Sequence, residues 1–215
     1  MDERNGYRTV LKAGQDEFYE KKSRFIGYIA PVSAESEALA FIAQKKKLHW
    51  DATHNVWAYI LRQGNTVRYS DDGEPQGTAG VPVLNVLQKR ELSDVVCVVT
   101  RYFGGILLGA GGLVRAYSHG AATAVQSAGV GMVRLCSVMS ARCPYALYEG
   151  LKGELEELGA VMRNEMFEQE VTLTFYTPCE NEEPLRARVT DFTRGRVACV
   201  TLGSEYRVID EKNSE

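Results

Sequence analysis

Residues 137–209 read SVMSARCPYALYEGLKGELEELGAVMRNEMFEQEVTLTFYTPCENEEPLRARVTDFTRGRVACVTLGSEYRVI, and the order of elements in this stretch decides the fold. SVMSARCPY (137–145) predicts a strand. In LYEGLKGELEEL (147–158), Leu147, Leu151, Leu155 and Leu158 recur at helical spacing, one apolar stripe on a charged helix, and Gly159 supplies its stop. VMRNEMFEQEVTLTFYTP (161–178) holds two strand-length segments joined around Glu168 and Gln169. EEPLRARVTDFTRG (182–195) predicts a second helix with Leu185, Val189 and Phe192 on one face, and RVACVTLGSEYRVI (196–209) closes as a strand. The order βαββαβ is that of the ferredoxin-like split βαβ unit.

The preceding half mixes adjacent strands with crossover helices. RFIGYIAPV (24–32) predicts the first strand. Ser33 is the expected N-cap of a helix with Glu35 and Glu37 in its positive first turn. Leu39, Ile42 and Ala43 recur at helical spacing, and the helix runs out through Lys45, Lys46 and Lys47. NVWAYILR (55–62) and VRYS (67–70) predict a hairpin across Gln63-Gly64-Asn65. VPVLNVLQKR (81–90) predicts a short helix entered at Pro82. DVVCVVTRYF (94–103) is a continuous apolar run, as expected of a strand covered on both faces. LVRAYSHGAATAVQSAG (113–129) predicts a helix ending at Gly129, with small residues that allow close packing on a sheet. The whole is an α+β chain whose first domain is a two-layer α/β structure.

Composition sets bounds. Of 215 residues, 45% are hydrophobic and 25% charged, ordinary globular usage. No run approaches the ~18 apolar residues of a membrane span, and the opening MDERNGYRTVLKAGQDEF has no apolar core of a secretory signal. The odd set Cys97, Cys136, Cys143, Cys179 and Cys199 has no CxxC spacing, as expected of free thiols in a reducing compartment. A soluble cytoplasmic protein without a membrane partner is expected. The net charge of −3 divides unevenly: residues 1–135 carry 16 Lys+Arg against 13 Asp+Glu, and residues 136–215 carry 9 against 15. That asymmetry, with glycine concentrated over 104–131, places a domain boundary between 1–135 and 136–215.

Two loops carry the candidate chemistry: Ser70-Asp71-Asp72-Gly73-Glu74-Pro75-Gln76-Gly77-Thr78-Ala79-Gly80, and Thr100-Arg101-Tyr102-Phe103-Gly104-Gly105-Ile106-Leu107-Leu108-Gly109-Ala110-Gly111-Gly112-Leu113-Val114-Arg115. Each follows a strand and precedes a helix, where backbone N–H groups can meet an anion. Neither is a GxxxxGK[ST] loop or a placed GxGxxG, and glycines in such loops most often serve tight turns. Arg101 and Arg115 favour the anion reading, since a guanidinium forks onto phosphate. Asp71, Asp72 and Glu74, with His54, have the donor chemistry of a hard cation site, while Asp-Asp-Gly is also ordinary turn chemistry; no metal, cofactor or catalytic residue is assigned. Arg62 and Arg68, on adjacent predicted strands, are further candidates for phosphate contact. His119 sits in a helix beside Gly120, where a solvated or packed histidine is expected.

The two loops, with KKSRFIGYIAPV and HNVWAYIL upstream, closely resemble the YigZ/IMPACT family over about residues 18–128. The second half is similar, through element order, to the ferredoxin-like domain of bacterial members. Val81 departs from the basic residue that many members carry after GTAG. The resemblance implies an N-terminal domain similar to the second domain of ribosomal protein S-five and the fourth domain of translocation factor EF-G, and a C-terminal domain similar to that factor's fifth. It also implies translation control, the activity of the eukaryotic members, which act under starvation by competing for the activator of an initiation-factor kinase. The motif positions are Ser70, Asp71, Asp72, Gly73, Glu74, Pro75, Gly77, Thr78, Gly80, Arg101, Tyr102, Gly104, Gly105, Gly109, Gly111, Gly112 and Arg115.

Two expectations follow. The first is a non-enzymatic, translation-associated regulatory factor that binds structured RNA, the ribosome or a regulator protein. Its N-terminal domain would do so through a basic sheet face and the two glycine loops, with Arg62, Arg68, Arg101 and Arg115 on phosphates and the glycines letting backbone N–H groups approach closely. The alternative is a small-molecule or nucleotide-binding enzyme in which both loops form one anion or metal pocket, Arg101 and Arg115 gripping the anion together. The residues alone leave both open, as they leave open an interaction module with a protein partner.

Overall fold

The structure, a computed structural model, describes residues 6–209. The chain is an α+β, two-domain protein whose contacts divide it into the compact units 7–132 and 133–209. Among the described residues no helix is long and apolar enough to cross a membrane.

The N-terminal unit runs β1 (Tyr7–Val10), β2 (Gly14–Glu20), β3 (Ser23–Pro31), α1 (Glu35–Leu48), β4 (His54–Leu61), β5 (Thr66–Ser70), α2 (Gly80–Lys89), β6 (Val95–Tyr102) and α3 (Ala110–Ala128). Strands β2-β3-β6-β4-β5 form one sheet in that order, with every neighbour antiparallel. The apolar run over 95–99 lies in the middle and is buried on both sides. Val95, Cys97 and Val99 join Phe25, Ile29 and Ala58 under α2 and α3, whereas Val96 and Val98 join Ile26, Tyr28 and Tyr59 under Ala38 and Ile42 of α1. Helices therefore cover both faces of the central strands, where a two-layer domain with an open basic sheet face was expected. The period-two alternation of a fully apolar strand requires this second cover.

Small residues bring α3 against the sheet, as expected. A Cβ on Gly27 of β3 would lie 2.1 Å from the carbonyl oxygen of Gly120, so both positions need glycine for the approach. Gly129, at φ +71°, ends α3. The helix begins at Ala110, three residues before the expected start, so Gly111 and Gly112 belong to its first turn and not to the loop.

Three other expectations are corrected. Strand β2 was not foreseen, because GQDEFYE is charged and mostly exposed; it is an edge strand whose acids discourage further pairing. Ser33 is not the N-cap of α1; Ala34 holds that position, and Glu37 reaches back to accept hydrogen bonds from the Ser33 amide (2.7 Å) and hydroxyl (3.0 Å). The buried stripe of α1 is Ala38 and Ile42, while Leu39 is exposed.

The C-terminal unit comprises β7 (Val130–Cys143) from Val133 onward, α4 (Tyr145–Glu157), β8 (Val161–Phe167), β9 (Val171–Pro178), α5 (Glu182–Thr193) and β10 (Cys199–Ile209). β7 lies between β9 and β10, and β8 lies outside β9. Leu151 and Leu155 of α4, Leu185 and Val189 of α5, and Leu173 and Phe175 of β9 form its core. The leucine stripe thus packs as its spacing implied, and Gly159, at φ +76°, ends the α4 segment.

Candidate functional site

The 70–80 loop is organised by its own acids. The Asp71 carboxylate accepts from the backbone N–H of Gly77 (2.9 Å), Ala79 (3.1 Å) and Gly80 (2.8 Å), closing the loop and capping the start of α2. Asp72, in the left-handed region at φ +47°, accepts from the Asn55 amide (2.7 Å) and the Lys46 ammonium (2.6 Å). Its carbonyl takes a hydrogen bond from His54 Nδ1 at 2.8 Å, which places that proton on Nδ1 and leaves Nε2 bare in the neutral ring. Thr78 donates to the Pro75 carbonyl and Ser70 accepts from the Asp72 amide.

Glu74 is buried. Its Oε1 accepts from Arg101 Nη1 (2.7 Å) and the Tyr117 hydroxyl (2.7 Å), with His54 Nε2 at 3.8 Å. Burial, then the Glu74 charge, holds the Tyr117 phenol far above its ordinary range. Arg101 also reaches the Ser23 hydroxyl, and its guanidinium lies over Phe25 and Phe103. The three acids are therefore drawn apart into separate structural duties. Among the described residues no group of three His, Cys, Asp or Glu is placed to hold a metal ion.

Beside this loop runs a relay of hydroxyls and imidazole. Tyr102 donates to Asp51 (3.1 Å), so His49 Nδ1–H must donate to Tyr102 (2.9 Å) and His49 Nε2 must accept from Tyr28 (2.6 Å). Burial lowers the His49 pKa, in keeping with that neutral ring.

The second loop is anchored at Gly104, whose N–H donates to Ser23 Oγ. A Cβ there would lie 2.1 Å from the Lys22 backbone, so the loop packs directly on the β2–β3 turn. Gly105 and Gly109 adopt φ +82° and +70°, and Gly112 of α3 lies close to Leu108.

Two clefts flank this loop, each of about 410 Å³. One takes residues from both loops, Gly73, Glu74, Pro75, Phe103, Leu107 and Gly109 among them, together with His54 and Arg101. The other is lined by Lys21, Arg115 and His119 with Phe18 and Leu108, and Glu20 contributes one acid. His119 packs edge-on against Phe18 at 4.5 Å. Arg101 and Arg115 thus face different clefts and grip nothing jointly. Arg62 pairs with Asp94 (2.8 Å) and stacks on Tyr7 (3.4 Å), while Arg68 is exposed on β5 opposite Tyr59. The four arginines form no common phosphate face.

Lys21 and Lys22 escaped the sequence reading. They are the two central residues of the turn closed by Glu20 and Ser23, at φ +44° and +66°. Such two-residue turns ordinarily use Asn-Gly, because side chains resist the left-handed region. The only signal was the Lys-Lys pair itself, and without β2 it could not be placed in a hairpin.

Comparison with known proteins agrees with this organisation. Residues 21–125 match the model of the Impact N-terminal domain, and residues 142–196 match a domain of unknown function, DUF1949. The chain is 40% identical to the IMPACT family member YvyE of Bacillus subtilis over 193 residues, 89% of each chain. The chain belongs to the IMPACT family. The IMPACT family member YigZ of Escherichia coli is 32% identical over 85% of this chain and 91% of its own length. A solved structure, described as the crystal structure of a hypothetical protein, aligns with a TM-score of 0.59 at 29% identity, over 94% of this chain and 99% of its own. The Impact N-terminal match contains both loops, both clefts' principal residues and the Lys21-Lys22 turn.

Proposed function

We propose that this IMPACT-family protein is a non-enzymatic, translation-associated regulatory factor whose N-terminal unit binds structured RNA on the ribosome through the cleft of Lys21, Arg115 and His119. The observation that carries this reading is the strained Lys21-Lys22 turn. Side chains held at positive φ raise the energy of the fold, and such outliers persist where function needs them. Here they set two ammonium groups at the tip of a hairpin, with Lys21 beside the exposed Arg115.

Lysine and arginine around an open cleft suit the phosphate backbone of folded RNA, which is recognised by shape and charge. The surplus of acids in residues 136–215 disfavours a second phosphate contact there and orients the chain with its basic end toward the nucleic acid. The family resemblance supplies the link to translation. Co-sedimentation of the purified chain with ribosomes over a salt series tests the reading, with Arg115→Ala as the comparison. Binding that weakens steeply with salt and further in the variant supports it. Binding indifferent to salt and nuclease would replace RNA with a protein partner.

A further inference from the structure

We infer that the other cleft, between the 70–80 loop and the start of α3, is a binding pocket for a small organic monocarboxylate with an apolar body. Two features line it, and a third lies on the first turn of α3 outside its lining. The first is the N-terminus of the 19-residue α3, where Gly109 offers no side-chain cap and the first intrahelical bond is Leu113 N–H to Gly109 at 2.9 Å. The N–H groups of Ala110, Gly111 and Gly112 are therefore left over by the helix itself, carrying its partial positive charge.

The second is Arg101, which lines the cleft at 4% exposure. Its two Nη atoms bond Glu74 and Ser23, but its Nε–H, fully buried, has no hydrogen-bond partner. Buried donors of this kind are rare and call for a partner. The third is Gly111, whose φ is ordinary and whose missing Cβ would meet no atom within 4 Å. Neither a turn nor packing requires glycine there, and glycine is disfavoured in a helix. Its effect is to leave the backbone amides bare to an approaching oxygen.

The walls and the charge define the ligand. Phe103, Leu107, Leu108, Leu113 and Pro75 make the cleft mostly apolar, and Leu107 is 83% exposed at the crest of its glycine-flanked loop. A ligand with an apolar body would cover that surface. The Arg101 and Glu74 charges cancel, leaving the helix terminus, about half a positive charge. That half charge matches one carboxylate better than a doubly charged phosphate. The pocket shares Leu108 with the Lys21 cleft, and Gly112 lines that cleft, but its ligand and its test differ, so the two readings are tested separately.

The test follows the Arg101 Nε–H and the Ala110–Gly112 amide signals by ¹⁵N NMR while hexanoate is added to the full chain at constant ionic strength. Acetate, 1-hexanol and inorganic phosphate are the comparisons. A saturable shift with hexanoate is expected, about tenfold or more tighter than with acetate because of the added methylenes, with no saturable shift from 1-hexanol or phosphate. Leu107→Asp, at an exposed position that leaves the fold intact, places a like charge on the pocket wall and should abolish it. No saturable hexanoate shift, an equal response to phosphate, or an unchanged response in Leu107→Asp would each overturn the inference.

Discussion

Replacing Lys21-Lys22 by Asn-Gly separates the energetic cost of the turn from its use. The substitution keeps the two-residue hairpin, and the contact of Gly104 with Lys22 is to backbone, so it survives. Each lysine held at positive φ costs about 1 kcal/mol. Asparagine tolerates that region and glycine carries no steric penalty, but glycine returns about 0.5–1 kcal/mol through the entropy of the unfolded chain. The net gain is about 1 kcal/mol, a rise in melting midpoint of about 2–4 °C for a chain of this size. Calorimetry of the double variant measures it, and sedimentation with ribosomes measures the effect of removing two charges in the same sample. The variant is expected to be more stable and to bind less. A midpoint that stays or falls would refute the strain. A midpoint that rises while ribosome binding is unchanged would refute the assignment of the lysines to phosphate.

Substitutions at two further positions test the loop and the C-terminal unit. Asp71→Ala strands three backbone N–H groups and should lower stability by about 2–3 kcal/mol, while Asp71→Asn, which keeps an acceptor, should recover part of that; urea midpoints at unchanged m-value are the check. Hydrogen bonds from Thr201, Ser137 and Arg186 hold the Glu182 carboxyl down at about 2. Because its pKa is depressed in the fold, its stabilisation is complete above the ordinary carboxylate range and is lost as pH falls from about 4.5 toward 2, about 2–3 kcal/mol in all. Urea melts of Glu182→Gln should therefore differ from the parent at pH 6 and converge with it near pH 2; a constant difference would contradict the assignment.

What the sequence made legible follows from where the physics is local. The leucines of α4 lie four apart and charged residues separate them, so their stripe has one phase and packs as read. In α1 the run Ala38-Leu39-Ala40-Phe41-Ile42-Ala43 offers apolar residues at nearly every position, and only the packing on Tyr28 and Val98 selects Ala38 and Ile42. The β6 run announced burial on both faces, which in itself argued against an open basic sheet. Strand β2 was hidden by its acids, and the Lys21-Lys22 turn with it.

At the site, both glycine loops were recognisable, but the partners of their charges were not. Glu74 and Arg101 are 27 residues apart and Arg62 and Asp94 are 32 apart, and no local pattern announces such pairs. Once made, each turns a candidate ligand-binding arginine into one already held by an acid. Arg115, without a nearby acid in its own helix, kept its exposed position.

The most direct test of the RNA assignment is the slope of binding against salt. Ribosome co-sedimentation of the parent chain and of Lys21→Asn/Lys22→Gly/Arg115→Ala should both be plotted as log affinity against log salt. Removing three cations that each neutralise a phosphate should flatten the slope by about two to three. An unchanged slope would show that these cations meet no phosphate, and that the cleft lined by Lys21 and Arg115 serves another purpose.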